Sequence, residues 1–163
     1  AWLLEAVGER FEIEWTLCCR KLAWPAGRPP GSASHPVRRL TEGDALYIFE
    51  HSDYREFTDV PYILDQIRRG IGGGIEGPDG ALAAWALTHD DGAIGFLHVL
   101  EVFRKQGFGQ SLTRWMIRRV LEAGRTPFVH IEASNEKSLN LAARTGFVPA
   151  GEVWWVKGTL VQG

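Results

Sequence analysis

Residues 101–115, EVFRKQGFGQSLTRW, place two glycines behind a basic pair and ahead of an amphipathic run. Where a strand ends and a helix begins, the first-turn N–H groups lack intrahelical partners, and with the helix dipole they attract an anion. Gly107 and Gly109 let a ligand approach that backbone without meeting a Cβ, and Arg104 and Lys105 add positive charge. The spacing predicts a phosphate held on the amides from Gln106 to Ser111, the alternative being a tight turn with no ligand. A Walker loop would need GxxxxGK[ST], and a dinucleotide fingerprint a third glycine and a later acidic residue; the segment has neither. The glycine-richer RGIGGGIEGPDG, residues 69–80, follows a predicted helix and opens none, so it reads as flexible strand or hairpin glycines.

Arg104-x-x-Gly107-x-Gly109 resembles the acyl-CoA pyrophosphate loop of the GNAT N-acyltransferase superfamily, R/Q-x-x-G-x-G/A. The likeness extends through LHVLEVFRKQGFGQSL, similar to that family's strand-four to helix-three junction. It continues in VHIEASNEKSLNLAARTGF, similar to its strand five, Asn-led helix and closing Gly-Phe. It covers the chain from about Val37 to Val156, and its texture is closest to the glycine N-acyltransferase-like branch.

The resemblance implies an α/β fold: a mixed central sheet flanked by about four helices, with splayed parallel strands around residues 93–100 and 127–133. It implies acetyl-CoA or another short acyl-CoA as co-substrate, and no metal. The pantetheine arm would make strand-like hydrogen bonds to the backbone around His98, Val99 and Leu100. The pyrophosphate would rest on the amides of Gln106, Gly107, Phe108, Gly109, Gln110 and Ser111, with Arg104 framing the loop and Lys105 beside it. Asn135 would contact the pantetheine or the product, supported by Ser138; the alternative for Asn135 is an ordinary helix cap.

The implied reaction is acyl transfer to the primary amine of a small molecule, directly within a ternary complex. Two other readings stay open: an acyl-CoA sensing module without catalysis, and an acetyltransferase acting on protein lysines or N-termini. An alkylammonium with a pKa near 10.4 must shed a proton before it attacks, at roughly 4.6 kcal/mol at pH 7, so a base or a water relay is expected. Many family members carry a glutamate early in strand four and a tyrosine in the last helix; the matching positions here are Ala93 and Ala142. His98 and Glu101, on and just after that strand, are the leading substitutes, because an imidazole titrates near neutrality. His130 and Glu132 share one face of the partner strand, while Tyr47, Asp53 and Tyr54 border the expected acceptor groove. For each, a packed or surface residue is the alternative reading. Trp154 and Trp155 read as packing residues rather than acceptor walls.

The elements that must position these groups are legible as periodicities. FEIEWTL alternates Phe11, Ile13, Trp15 and Leu17 with polar residues, which predicts a half-buried strand. PAGRPPGSASHP then reads as a linker, so residues 1–36 are expected to form an N-terminal strand and linker packed on or preceding a body of residues 37–163, one domain overall. A short strand at PVRRL, helices at TEGDALYIFE and VPYILDQIRR, and a loop or short helix between them come next. From residue 71, three strands with turns at GPDG and HDDG predict antiparallel hairpins. Phe108, Leu112, Trp115, Met116 and Val120 make one apolar stripe, which predicts a helix over 107–123. Strand, helix and strand in succession predict a βαβ crossover with parallel neighbours. A last helix should start at a capping Ser134 and stop at Gly146, before one or two closing strands.

The 163 residues contain 18 Lys and Arg against 20 Asp and Glu, so no global field recruits nucleic acid or an anionic membrane. The doublets Arg38-Arg39, Arg68-Arg69 and Arg118-Arg119 read as solvated faces. Adjacent Cys18 and Cys19 do not suit a disulfide or a zinc site, which suggests a reduced, cytoplasmic setting and gives no support to a covalent cysteine route. No apolar run approaches the ~20 residues of a membrane span. AWLLEAV opens inside an apolar periodicity, as though more chain precedes it. The oligomeric state stays open, a homodimer among the options.

Overall fold

The computed structural model of the chain describes residues 2–53 and 55–161, the side chains of residues 2–4 excepted; Tyr54 lies outside them. The alternating N-terminal segment forms β1, Phe11–Ala23, and continues through both cysteines, which are free. It is the middle strand of an antiparallel sheet, between β6, Phe128–Glu132, and β7, Val148–Leu160. The closing segment is therefore one 13-residue strand, in register with β1 from Phe11↔Leu160 to Ala23↔Val148. The second sheet is a meander of β2, Arg38–Arg39, β3, Gly72–Glu76, β4, Leu82–Thr88, and β5, Ile94–Val99, every pairing antiparallel. Its turns fall at GPDG and HDDG, closed by Gly80 and Gly92 with positive φ.

Five α-helices are described: α1, Trp2–Gly8; α2, Ala45–His51; α3, Val60–Arg69; α4, Phe108–Glu122; and α5, Glu136–Thr145. The side chain of Asp59 caps α3 by accepting from the Tyr62 N–H, Pro61 sits in its first turn, and Gly70 ends it. The cap of α5 is Asn135 rather than Ser134. Asn135 Oδ1 accepts from the Ser138 N–H at 3.1 Å, while Ser134 turns back to donate to Glu132 at 2.6 Å. No helix among the described residues is long and apolar enough to cross a membrane.

Helices cover both faces. On one, Ile48 of α2 and Ile63 and Ile67 of α3 pack on Trp85 and Leu87. On the other, Met116, Ile117 and Val120 of α4 and Ala142 of α5 pack on Ala86, Ile94, Val129 and Ile131. The basic doublets are largely neutralised by neighbours: Arg38 pairs with Asp44 and Glu76, Arg68 with Glu42, Arg69 with Asp65 and Arg119 with Glu122.

The crossover places β5 beside β6, yet the two share no ladder and belong to different sheets. The mixed sheet is thus two antiparallel halves that part between these strands. A β-bulge accompanies the separation. Trp85 pairs with His98 and Leu87 with Gly95, so Ala86 faces two residues, Phe96 and Leu97, and Phe96 takes a left-handed φ of 48°. Such a conformation costs a bulky residue on the order of 1–3 kcal/mol and persists only where its surroundings impose it.

The glycines of β3 are not flexible, as their density suggests, but buried beneath large side chains. A Cβ on Gly73 would lie 2.7 Å from the Trp115 ring, and one on Gly72 would lie 3.1 Å from Leu40. Gly73→Val should therefore destabilise the fold by about 1–3 kcal/mol through overpacking, read as a lower urea midpoint at unchanged m-value.

Candidate active site

The glycine loop lies where the sequence places it, at the start of α4. Gly107 is the cap residue in the left-handed region, φ 87°, and Lys105 precedes it at φ 62°. The Ser111 N–H donates to Gly107 O within the helix, so the donors without an intrahelical partner narrow to those of Phe108, Gly109 and Gln110. The Ser111 side chain serves another purpose. It is buried and its Oγ accepts from the backbone N–H groups of Ser34 and His35 at 3.1 and 3.2 Å. The His35 Nε2–H donates to Gln106 O at 2.8 Å, and the ring packs on Phe108 at 4.5 Å between centroids. The Pro/Gly-rich linker is therefore a strap along one side of the loop. Lys105, Gln106 and Gly107 remain exposed on the other.

The loop abuts the gap between β5 and β6. A Cβ on Gly109 would lie 3.4 Å from Leu141 of α5 and 3.7 Å from Val99 of β5, so this position sits where the three elements meet. The Leu100 N–H donates to Ala83 O at 2.9 Å, and alternation along the antiparallel ladder turns the backbone groups of Val99 and Leu97 toward the gap. Arg104 reaches back and donates through Nε to Val99 O at 3.2 Å. Of His98, Val99 and Leu100, Val99 is the one whose amide faces the opening.

His98 points to the α2–α3 face, its side chain 9% exposed and its ring stacked 4.7 Å from that of Trp85. Asp53 Oδ2 stands 3.4 Å from Nδ1, within charge range and long for a good hydrogen bond. Burial holds the His98 pKa below the usual imidazole value; Asp53 opposes this, while Arg104 and His51 reinforce it. At neutral pH the ring is a neutral proton acceptor. Glu101 lies in the short 3-10 turn after β5 and is exposed.

His130 repeats the pattern on the opposite strand. Its side chain is 9% exposed, with Asp91 Oδ2 3.4 Å from Nδ1, and burial lowers its pKa against the pull of Asp91. His89 is also depressed, chiefly by burial. Tyr47 stacks on His51 and meets Trp85 edge-on, which joins it to the His98 cluster. Glu132 is exposed and accepts from the Ser134 hydroxyl, and Trp155 meets His130 at 6.1 Å. The pairing of Asp91 with His130 carries no sequence signal beyond the turn HDDG, and the strap residues Ser34 and His35 none beyond a run of small residues.

Three imidazoles with depressed pKa values predict acid sensitivity. Below the ordinary value of about 6.5 the unfolded chain binds more protons than the folded one, so stability is complete above that pH and declines as pH falls through the interval beneath it. Tm at pH 5.5 should lie below that at pH 7.5, by about 2–4 °C per kcal/mol lost. Replacing the three with glutamine should flatten the difference.

Comparison with known proteins bears on this arrangement. Residues 72–156, just over half of the chain, match the family described as FR47-like protein. The chain belongs to this GNAT-related family. Among solved structures, a Drosophila protein superposes with a TM-score of 0.79 at 24% identity, covering 97% of this chain and 56% of its own. A GNAT-family protein from Novosphingobium aromaticivorans gives 0.72 at 22%, covering 90% and 66%. A GCN5-related N-acetyltransferase from Sphaerobacter thermophilus gives 0.68 at 16%, covering 96% and 56%. These likenesses show the GNAT fold, and the chain spans roughly 56–66% of the length of these proteins. No curated protein matches the sequence significantly.

The residues present suit the acyl-CoA that GNAT proteins use. Unpartnered amides, a glycine corner without Cβ atoms, two cations and an unladdered strand edge at Val99 adjoin one another. The usual acid and base positions are closed. Ala93 and Ala142 are 0% and 4% exposed and carry no titratable group.

Proposed function

We propose that the chain is an acyl-CoA-dependent N-acetyltransferase that acylates the primary amine of a small molecule. One observation carries this reading: the exposed amide corner at Gly107 opens directly onto the gap between β5 and β6, with a buried neutral imidazole on the α2–α3 face of the gap. Acetyl-CoA supplies the acyl thioester. The amides of Phe108, Gly109 and Gln110, with Arg104 and Lys105, hold its phosphates, and the Val99 N–H is placed to stabilise charge that develops on the thioester oxygen. A donor so preorganised is worth about 3 kcal/mol. His98 takes the ammonium proton, and Asp53 orients its ring. Asn135, which caps α5 by accepting from the Ser138 N–H, shapes the pantetheine passage together with Ser138.

The closed positions at Ala93 and Ala142 favour a second reading, an acyl-CoA binder that does not turn over. Titrating the protein with acetyl-CoA and then screening primary amines for free CoA separates the two. Saturation at a hundredfold excess over Kd should stabilise the fold by about 2.7 kcal/mol, and at least one amine should release CoA. Stabilisation without release from any amine supports the binder. No stabilisation sinks both.

A further inference from the structure

The proposed transfer has two protons to handle. An ammonium acceptor sheds one before its lone pair attacks. As the N–C bond forms and the C–S bond breaks, the nitrogen sheds a second, and the departing thiolate needs one. His98 accounts for the first. The residue usual for the second is Ala142, buried and inert.

His130 stands on β6, across the gap from β5, on the same sheet face as His98. The ring is nine-tenths buried, yet neither Nδ1 nor Nε2 has a hydrogen-bond partner among the described residues. An unpaired buried polar group costs about 1–3 kcal/mol, and an apolar side chain would fill the same space without that cost. The charged and titratable groups that face it come from two elements: Asp91 and His89 from the turn between β4 and β5, and Lys21 from β1. Phe128 and Trp155 flank it at 5.3 and 6.1 Å. The charge of Asp91, 3.4 Å from Nδ1, favours the tautomer with its proton on that nitrogen, which leaves the Nε2 lone pair as the acceptor.

We infer that His130, oriented by Asp91, is the second proton carrier of the acetyl transfer, a role that presupposes the transferase reading. Nε2 accepts the proton that the acylated nitrogen sheds and gives it to the thiolate sulfur, so the ring ends the cycle neutral and no further reactant is consumed. Asp91 is a positioning residue. The division of labour is spatial: the imidazole on β5 prepares the nucleophile, and the one on β6 clears the product.

Hydroxylamine separates the two roles, because it is largely unprotonated at neutral pH and needs no initial deprotonation, while its acylated nitrogen must still lose a proton. With acetyl-CoA and hydroxylamine, His98→Gln should recover to within about threefold of wild type, whereas His130→Gln should stay at least tenfold slow at unchanged acetyl-CoA affinity. Asp91→Asn, at a partly exposed position, should be several-fold slow and should move the acid limb of the pH–rate profile to lower pH, since it removes the charge that supports the protonated ring. His130→Gln at wild-type speed overturns the proposal, as does a loss matched by equal losses of acetyl-CoA affinity and Tm, which would mark a packing role. Failure of the wild-type protein to bind acetyl-CoA would strike the transferase reading instead.

Discussion

His98→Gln should lower turnover of an alkylamine acceptor by about 10²–10⁴-fold, the usual share of a positioned acid–base group, while acetyl-CoA affinity stays within about twofold. Glutamine keeps much of the packing against Trp85, so the loss reports on proton transfer rather than on the wall of the site. Single-turnover CoA release measured beside calorimetric titration separates the two quantities. The pH profile adds a sign. On the proposed assignment the neutral form of His98 is the active one, so activity should fall as acid protonates it, with a midpoint below the ordinary imidazole range because burial disfavours the cation. Asp53 supports the cation, so Asp53→Asn should shift that midpoint further down. Equal losses in turnover and affinity, or an acid limb that stays in place in Asp53→Asn, would contradict the assignment.

Gly107→Val should remove acetyl-CoA binding by a factor of about 10²–10⁴. At φ 87° an L residue is strained by roughly 1–2 kcal/mol, and a β-branched one by more. Relief of the strain turns the first-turn amides away from the anion. Each charge-assisted hydrogen bond so lost is worth about 1.5–3 kcal/mol, and two suffice for the stated range. Thermal stabilisation by acetyl-CoA should vanish while the apo Tm falls only by a few degrees. Binding within threefold of wild type would mean that the phosphates rest elsewhere.

Legibility in the sequence tracks the reach of each interaction. The stripe from Phe108 to Val120 and the alternation from Phe11 to Leu17 are periodic within a few residues of themselves, and both form the elements they describe. The glycine corner at the start of α4 is equally readable, because loop, glycine and helix start are contiguous. Pairings across the fold leave no such trace. Nothing near His98 announces Asp53, nothing near His130 announces Asp91, and Gly72 to Gly74 look loose because Trp115 and Leu40, which lie over them, are distant in sequence. Ser134 and Asn135 are both good caps, and the choice between them is made by Glu132, which captures the serine. The linker looks like a spacer because its hydrogen bonds to Ser111 are 76 and 77 residues distant.

The central place of β1 also sets an order of assembly. Its partners begin at Phe128 and Val148, so during translation β1 has no complete ladder until residues 24–147 have followed it. At ~5–20 residues per second the ribosome needs roughly 6–25 s to bridge that interval. Phe11, Trp15 and Leu17 spend it unpaired in a nascent chain, a template for wrong neighbours. Vectorial synthesis thus leaves the pairing of β1 with β6 and β7 until late, and chaperone dependence should track residues 11–23 more closely than any part of the candidate site.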